Sequence, residues 1–146
     1  MKKINIINAP LGGFISIPEK IYSLVIDHPY FQRLRRIKQL GLTDLVFPGA
    51  VHTRFQHTLG AFQLMNGAIE TLKNKGVDIS EEEERGVKLA ILMHDIGHGP
   101  FSHTLEHKVV PGVSHEDISR AFMLALDAEM DGALGLAIRL FSGDYP

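Results

Sequence analysis

Three short polar motifs fix where helices begin in the later two thirds of this chain. Thr53-Arg54-Phe55-Gln56 has the form of a capping box, a hydroxyl answered three residues later by an amide, and it opens a helical pattern toward Lys73 that Lys75-Gly76 closes. Ser80 precedes Glu81, Glu82, Glu83 and Glu84, acids that the positive end of a helix dipole favours, and the helix it starts runs into His94-Asp95. Ser114-His115-Glu116-Asp117 caps the next, and a last helix is expected from about Gly132 to Phe141.

Earlier in the chain, 4–7 and 14–17 are short β-prone runs separated by Ala9-Pro10-Leu11-Gly12-Gly13, which suits a small hairpin. Pro18 opens a helical pattern through Asp27, with Ile21, Leu24 and Val25 on one buried stripe. From Tyr30 to Leu40 the apolar positions Phe31, Leu34, Ile37 and Leu40 recur every three residues, Arg33, Arg35, Arg36 and Lys38 fill the rest, and Gly41 stops that helix. Gly97, Gly99 and Pro100 interrupt the later pattern, and Pro100 begins a short helix through His107. No internal repeat or linker is visible. The chain reads as all-α, one domain over residues 1–146, a helical bundle with a minor N-terminal β-hairpin.

Composition narrows the chemistry. There is no cysteine, hence no disulfide framework, thiolate zinc site or thiol nucleophile, and any metal must rest on histidine and carboxylate. The 15 Lys and Arg against 17 Asp and Glu give no electrostatic case for a general nucleic-acid or membrane-surface binder. No apolar run approaches the ~18 residues needed to cross a bilayer, so a cytoplasmic location is expected. Of 8 histidines, all but His28 fall between His52 and His115, a density that neither solubility nor packing requires.

The densest segment is His94-Asp95-Ile96-Gly97-His98-Gly99-Pro100-Phe101-Ser102-His103, which follows an apolar run at a helix end. His94 and Asp95 suit a divalent cation met end-on, since such ions take imidazole nitrogen and carboxylate oxygen together. A third ligand should come from another helix. His57 is the candidate, because the turn at Gly76 makes the two helices antiparallel neighbours and carries His57 toward Asp95. Arg54, three residues before His57, shares its helix face, where a guanidinium beside a metal would recognise phosphate. Any one of these histidines alone is more often a satisfied core or surface residue. Glu106, Glu116 and Asp117 also read as helix-end acids, and for Asp117 that reading is preferred.

Four ordered motifs carry a family resemblance: Phe31-Gln-Arg-Leu-Arg-Arg-Ile-Lys-Gln-Leu-Gly41, Phe47-Pro-Gly-Ala-Val-His-Thr-Arg-Phe-Gln-His57, His94 to His103, and Ser114-His-Glu116. Across most of residues 4–122 the chain resembles the HD-domain deoxynucleoside triphosphate triphosphohydrolases, the group that includes bacterial dGTPase-like enzymes and the eukaryotic sterile-alpha-motif HD-domain protein. The resemblance implies an HD-domain fold and a divalent metal (Fe, Mn, Ni, Zn or Mg) on His57, His94 and Asp95. It places His98, Glu106 and His115 among catalytic and phosphate-contacting groups, with Glu116 orienting His115, although close relatives carry Asp where Glu106 stands. Arg54 and His103 match phosphate contacts, and Gln39 and Leu40 match positions near the deoxyribose. Asp27, Gln32 and Arg35 match a site for an activating guanine nucleotide in regulated oligomeric members, which implies a homo-oligomer; Gln32 and Arg35 fit a solvated helix face equally well.

One departure stands out. The family completes its metal site with a downstream Asp in an Asp-Arg-x-Asp-Tyr type motif, and Asp127, Asp131 and Asp144 do not sit in one. The expectation is therefore an N-terminal portion of a longer member, with three of the family's metal ligands. The function implied is hydrolysis of deoxynucleoside triphosphates to deoxynucleoside and triphosphate. The rivals are a non-catalytic nucleotide-binding or interaction module and, ranked lower, another HD activity such as a nucleotidase or cyclic-nucleotide phosphodiesterase.

Overall fold

The computed structural model describes residues 5–9, 13–17, 20–101, 103, 105 and 111–145. Pro18, Glu106 and half of the short helix expected from Pro100 to His107 lie outside the described residues. Strands β1 (Asn5–Ala9) and β2 (Gly13–Ile17) form an antiparallel hairpin in the register Ile7↔Ile15. Alternation along β2 buries Ile15 and Ile17 and leaves Phe14 in solvent, so one face of the hairpin closes the core.

Helix α1 (Lys20–Asp27) buries Tyr22, Val25 and Ile26, the i, i+3, i+4 stripe of a half-exposed helix. Leu24, expected on that stripe, lies 48% exposed because it sits roughly 100° around the helix from Val25. Helix α2 (Pro29–Gln32) starts with proline at its first position, and the His28 imidazole accepts from the Tyr30 N–H at 3.2 Å.

The expected helix from Tyr30 to Leu40 is corrected by the structure. It tightens into a 3-10 turn at Arg33–Arg36, and Ile37 is already extended. An apolar repeat of three is the repeat of a 3-10 helix, in which side chains at i and i+3 eclipse, and Phe31, Leu34 and Ile37 are accordingly buried in a row. Beyond Ile37 the main chain bonds to the start of the next helix instead: Arg54 N donates to Ile37 O at 2.8 Å and Gln39 N to His52 O at 3.1 Å. Leu40 is left 46% exposed.

Helices α3 (Arg54–Asn74) and α4 (Glu81–Met93) pack together, α5 (His115–Glu129) follows, and α6 (Gly135–Phe141) packs on α4. All three expected starts carry complete capping boxes, Thr53 with Gln56, Ser80 with Glu83 and Ser114 with Asp117. Asp117 is thus a capping acid, as preferred from sequence. The last helix begins three residues later than Gly132, because Gly132 has φ 79° in the turn that ends α5. The core is a layer of Phe31, Phe55, Leu59, Phe62, Leu92, Met93 and Met123, and its upper edge is the end of α4.

The cap at Thr53 bears directly on function, because α3 begins with Arg54 and carries His57 in its first turn. Gln56 N donates to Thr53 Oγ1 at 3.3 Å and Thr53 N donates to Gln56 Oε1 at 2.9 Å. Thr53→Ala is expected to lower the unfolding free energy by about 1 kcal/mol, read from a urea transition at unchanged slope.

Candidate metal centre

His57 stands on the first turn of α3, while His94 is the residue that ends α4 and Asp95 follows it. These are opposite ends of two helices joined by the short 75–80 connection, so antiparallel packing brings them level. One ligand atom from each of His57, His94 and Asp95 lies within 4.8 Å of the others. The two imidazoles meet edge to face, with centroids 5.5 Å apart and planes at 64°, an arrangement in which ring-plane lone pairs can converge.

The donor set fits a divalent ion. His94 Nδ1 lies 2.6 Å from Ile91 O, and because a carbonyl can only accept, Nδ1 carries the proton and Nε2 presents its lone pair to the site. That nitrogen is 3.4 Å from Asp95 Oδ1, and His57 Nε2 is 3.7 Å from Asp95 Oδ2. Two imidazoles and one carboxylate suit Zn, Fe, Mn or Ni.

Asp95 is buried, and the Arg54 guanidinium, also buried, donates to its Oδ2 at 2.5 Å. Burial alone would raise the Asp95 pKa. Contact with His98 and the charges of His94 and Arg54 outweigh it and hold the carboxyl below its ordinary range. Burial lowers the His57 pKa, with Asp95 opposing, and burial likewise lowers that of His98. Both imidazoles therefore sit neutral near pH 7, the form that ligates metal.

Beside this centre lies a second cluster of His98, His103 and His115. His98 is buried and stacks on His115 at 3.9 Å with planes 17° apart, while His103 meets both edge-on at 4.7 and 5.0 Å. One ring nitrogen from each lies within 4.8 Å of the others, so the cluster could hold a cation through lone pairs or an anion through ring N–H groups. His98 Nε2, a buried polar atom, is 3.4 Å from Asp95 Oδ1 and makes no hydrogen bond among the described residues. Glu116 Oε1 stands 3.3 Å from His115 Nε2.

The other expected site residues fall in two places. The Gln39 carbonyl accepts from Arg54 Nη2 at 3.4 Å, which puts Gln39 and Leu40 next to the guanidinium that touches Asp95. Gln32 Nε2 donates to Ile26 O and Arg35 Nε donates to Gln32 Oε1, both at 2.7 Å, which groups these two side chains near exposed Asp27. Arg35 also lies over the Phe55 ring at 3.7 Å.

Gly97 explains how tightly the His94–His98 turn is seated. A Cβ there would meet His115 O and Ser119 N at 2.3 Å, both of them main-chain atoms. Gly97→Ala is expected to cost about 1–3 kcal/mol in thermal unfolding, as overpacking does, since neither partner can swing aside. Sequence reading missed two residues that bond to the main chain of this turn, Arg33 and Ser119. Arg33 reads as one cation among several on a helix face, and a mid-helix serine carries no local signal of a partner more than twenty residues away.

A family model, HD domain, matches residues 54–139, more than half of the chain. Deoxynucleoside triphosphate triphosphohydrolase SAMHD1 of Gallus gallus is 44% identical over 110 residues, 74% of this chain and 18% of that protein. The SAMHD1 homolog of Dictyostelium discoideum is 41% identical over 125 residues, 81% of this chain and 24% of that protein. The crystal structure of a phosphohydrolase from Bacteroides thetaiotaomicron VPI-5482 superposes with a TM-score of 0.95 at 54% identity, covering 99% of this chain and 36% of that one. The chain thus spans roughly a fifth to a third of the length of the proteins it matches.

Proposed function

We propose, since the chain belongs to the HD domain family, that it is the metal-binding part of a phosphohydrolase that cleaves deoxynucleoside triphosphates to deoxynucleoside and triphosphate. The observation that carries this reading is the convergence of His57, His94 and Asp95 from two helix ends. The similar proteins of Gallus gallus and Dictyostelium discoideum are named for that activity, which supports the substrate class.

A divalent ion held by these three residues would supply Lewis-acid charge against a phosphoryl oxygen and activate water for attack on phosphorus. Zn, Fe, Mn or Ni fits the two imidazoles better than Mg. Arg54 holds Asp95 ionised, and its guanidinium stands beside the site where phosphate charge would collect. His98 and His103 offer ring N–H groups to phosphate oxygens. His115, oriented by Glu116, or His98 would protonate the leaving oxygen. Gln39 and Leu40 would line the sugar side, and Glu106 would join the acid–base groups. Asp27, Gln32 and Arg35 would take a guanine nucleotide that regulates a homo-oligomer.

One observation favours a second reading, a nucleotide-binding module without catalysis. Arg54 already neutralises the buried Asp95, so the carboxylate is stable without an ion. Purified protein incubated with Mn2+ and dGTP separates the two. Release of deoxyguanosine and triphosphate that vanishes in a His94→Ala, Asp95→Ala double variant supports the enzyme; nucleotide binding with no ion uptake and no release supports the module.

A further inference from the structure

The turn that carries His94, Asp95 and His98 is held by two side chains that belong to neither histidine cluster. Ser119, buried in α5, accepts from the Gly97 N–H at 2.8 Å and donates its proton to the His94 carbonyl at 3.0 Å. From the 3-10 turn, Arg33 donates through Nη1 to His98 O at 2.6 Å and through Nη2 to Ile96 O at 2.8 Å. The same guanidinium lies 5.0 Å from the Phe122 ring centroid, which ties it to α5 as well. Main-chain groups of residues 94, 96, 97 and 98 are thus gripped by two side chains from separate elements.

Satisfying the loose carbonyls at a helix end would explain one such contact. It does not explain why both side chains converge on a single turn and avoid the rest of α4. Gly97 supplies the reason: the turn lies so close to α5 that its Cα approaches the main chain of His115 and Ser119 with no room for a side chain. The contacts that fix this approach also fix how far Asp95 and His94 stand from His115.

We propose that Ser119 and Arg33 are positioning residues that hold the His94–His98 turn against α5, presenting His94 and Asp95 to the metal and stacking His98 on His115. The inference rests on the metal-centre reading above. A planar guanidinium can hold two carbonyls at once, whereas the point charge of lysine cannot keep that fork. Arg33→Lys should therefore fail to replace Arg33 even though the charge is retained.

The test compares wild type, Ser119→Ala, Arg33→Lys and Ile138→Ala, the last a core change on α6 that serves as a stability control. Mn2+ affinity is measured by titration calorimetry, the melting temperature in chelator, and hydrogen exchange at the Gly97 amide in metal-free protein. Loss of an outer partner of a metal ligand costs about 10- to 100-fold in affinity, and that is the loss expected for Ser119→Ala and Arg33→Lys. Ile138→Ala should melt earlier yet bind within about twofold of wild type, since it removes neither a candidate ligand nor a side chain bonded to the turn. Gly97 exchange should quicken in Ser119→Ala. If wild type binds Mn2+ and both turn variants bind it equally well, the inference is overturned while the metal centre stands. If wild type takes up no ion, the metal centre falls, and unchanged Gly97 exchange in Ser119→Ala overturns the positioning role separately.

Discussion

Asp95→Ala is expected to destabilise the metal-free protein by about 3–5 kcal/mol in urea unfolding, the cost of leaving one member of a buried ion pair alone. Arg54 is only 3% exposed and its Nη1 donates to Asp95 at 2.5 Å, so deleting the carboxylate strands a guanidinium with little water to replace it. An Arg54→Ala, Asp95→Ala double variant should recover part of the loss, because neither charge is then left buried and unpaired. The pair also sets a pH dependence. The Asp95 carboxyl is held below its ordinary range, so the unfolded state binds more protons across that interval. Its contribution is therefore complete above the unfolded carboxylate value and disappears as pH falls through the folded one. His57 and His98, also lowered, act in the same direction at higher pH: the unfolded imidazoles protonate below about 6.5 while the folded ones resist. Wild-type stability should decline in two stages on acidification, and in Asp95→Ala the lower stage should shrink to the share of Glu83, Glu84 and Asp117, whose carboxyls hydrogen bonds also hold low.

The second large effect concerns the ion itself. An ion that binds only the folded state stabilises it by about 2.7 kcal/mol at one hundred times its dissociation constant. For a chain of this size each kcal/mol moves the melting temperature by roughly 2–4 °C, so saturating Mn2+ or Zn2+ should raise it by roughly 5–11 °C. His94→Ala removes a ligand whose tautomer is set by the Ile91 carbonyl, and should abolish that rise and weaken ion binding by more than about 100-fold, the upper end for outer-partner losses. His57→Ala should do the same, though His57 contributes nothing to the capping of α4. A metal-induced rise that persists in both variants would show that the ion binds elsewhere, with the stacked cluster of His98, His103 and His115 the first place to look.

The parts of this structure that were legible from sequence are those set by local chemistry. A hydroxyl and an answering side chain three residues later define a capping box whatever surrounds it, and all three starts, at Thr53, Ser80 and Ser114, follow that rule. The meeting of His57 with His94 and Asp95 was legible for a topological reason, since a short connection between two helices leaves little choice but antiparallel packing. What escaped depended on tertiary partners. Ile37 to Gln39 leave the helical path because His52 and Arg54 offer main-chain hydrogen bonds there, and no residue near Ile37 announces them. The exposed Leu24 and the buried Tyr22 differ by which side of α1 met the core, a choice that apolar content leaves open. Ser119 was invisible because its partners, Gly97 and His94, are reached only after the chain folds back.

The central claim, one ion held by His57, His94 and Asp95, is tested most directly by X-ray absorption on protein loaded with a single equivalent of Zn2+. The account predicts a light-atom shell near the usual Zn–N and Zn–O distances, about 2.0–2.2 Å, with scattering from two imidazole rings that falls to one in His57→Ala. A spectrum showing three imidazoles, unaltered by His57→Ala, would place the ion in the other histidine cluster and contradict the account.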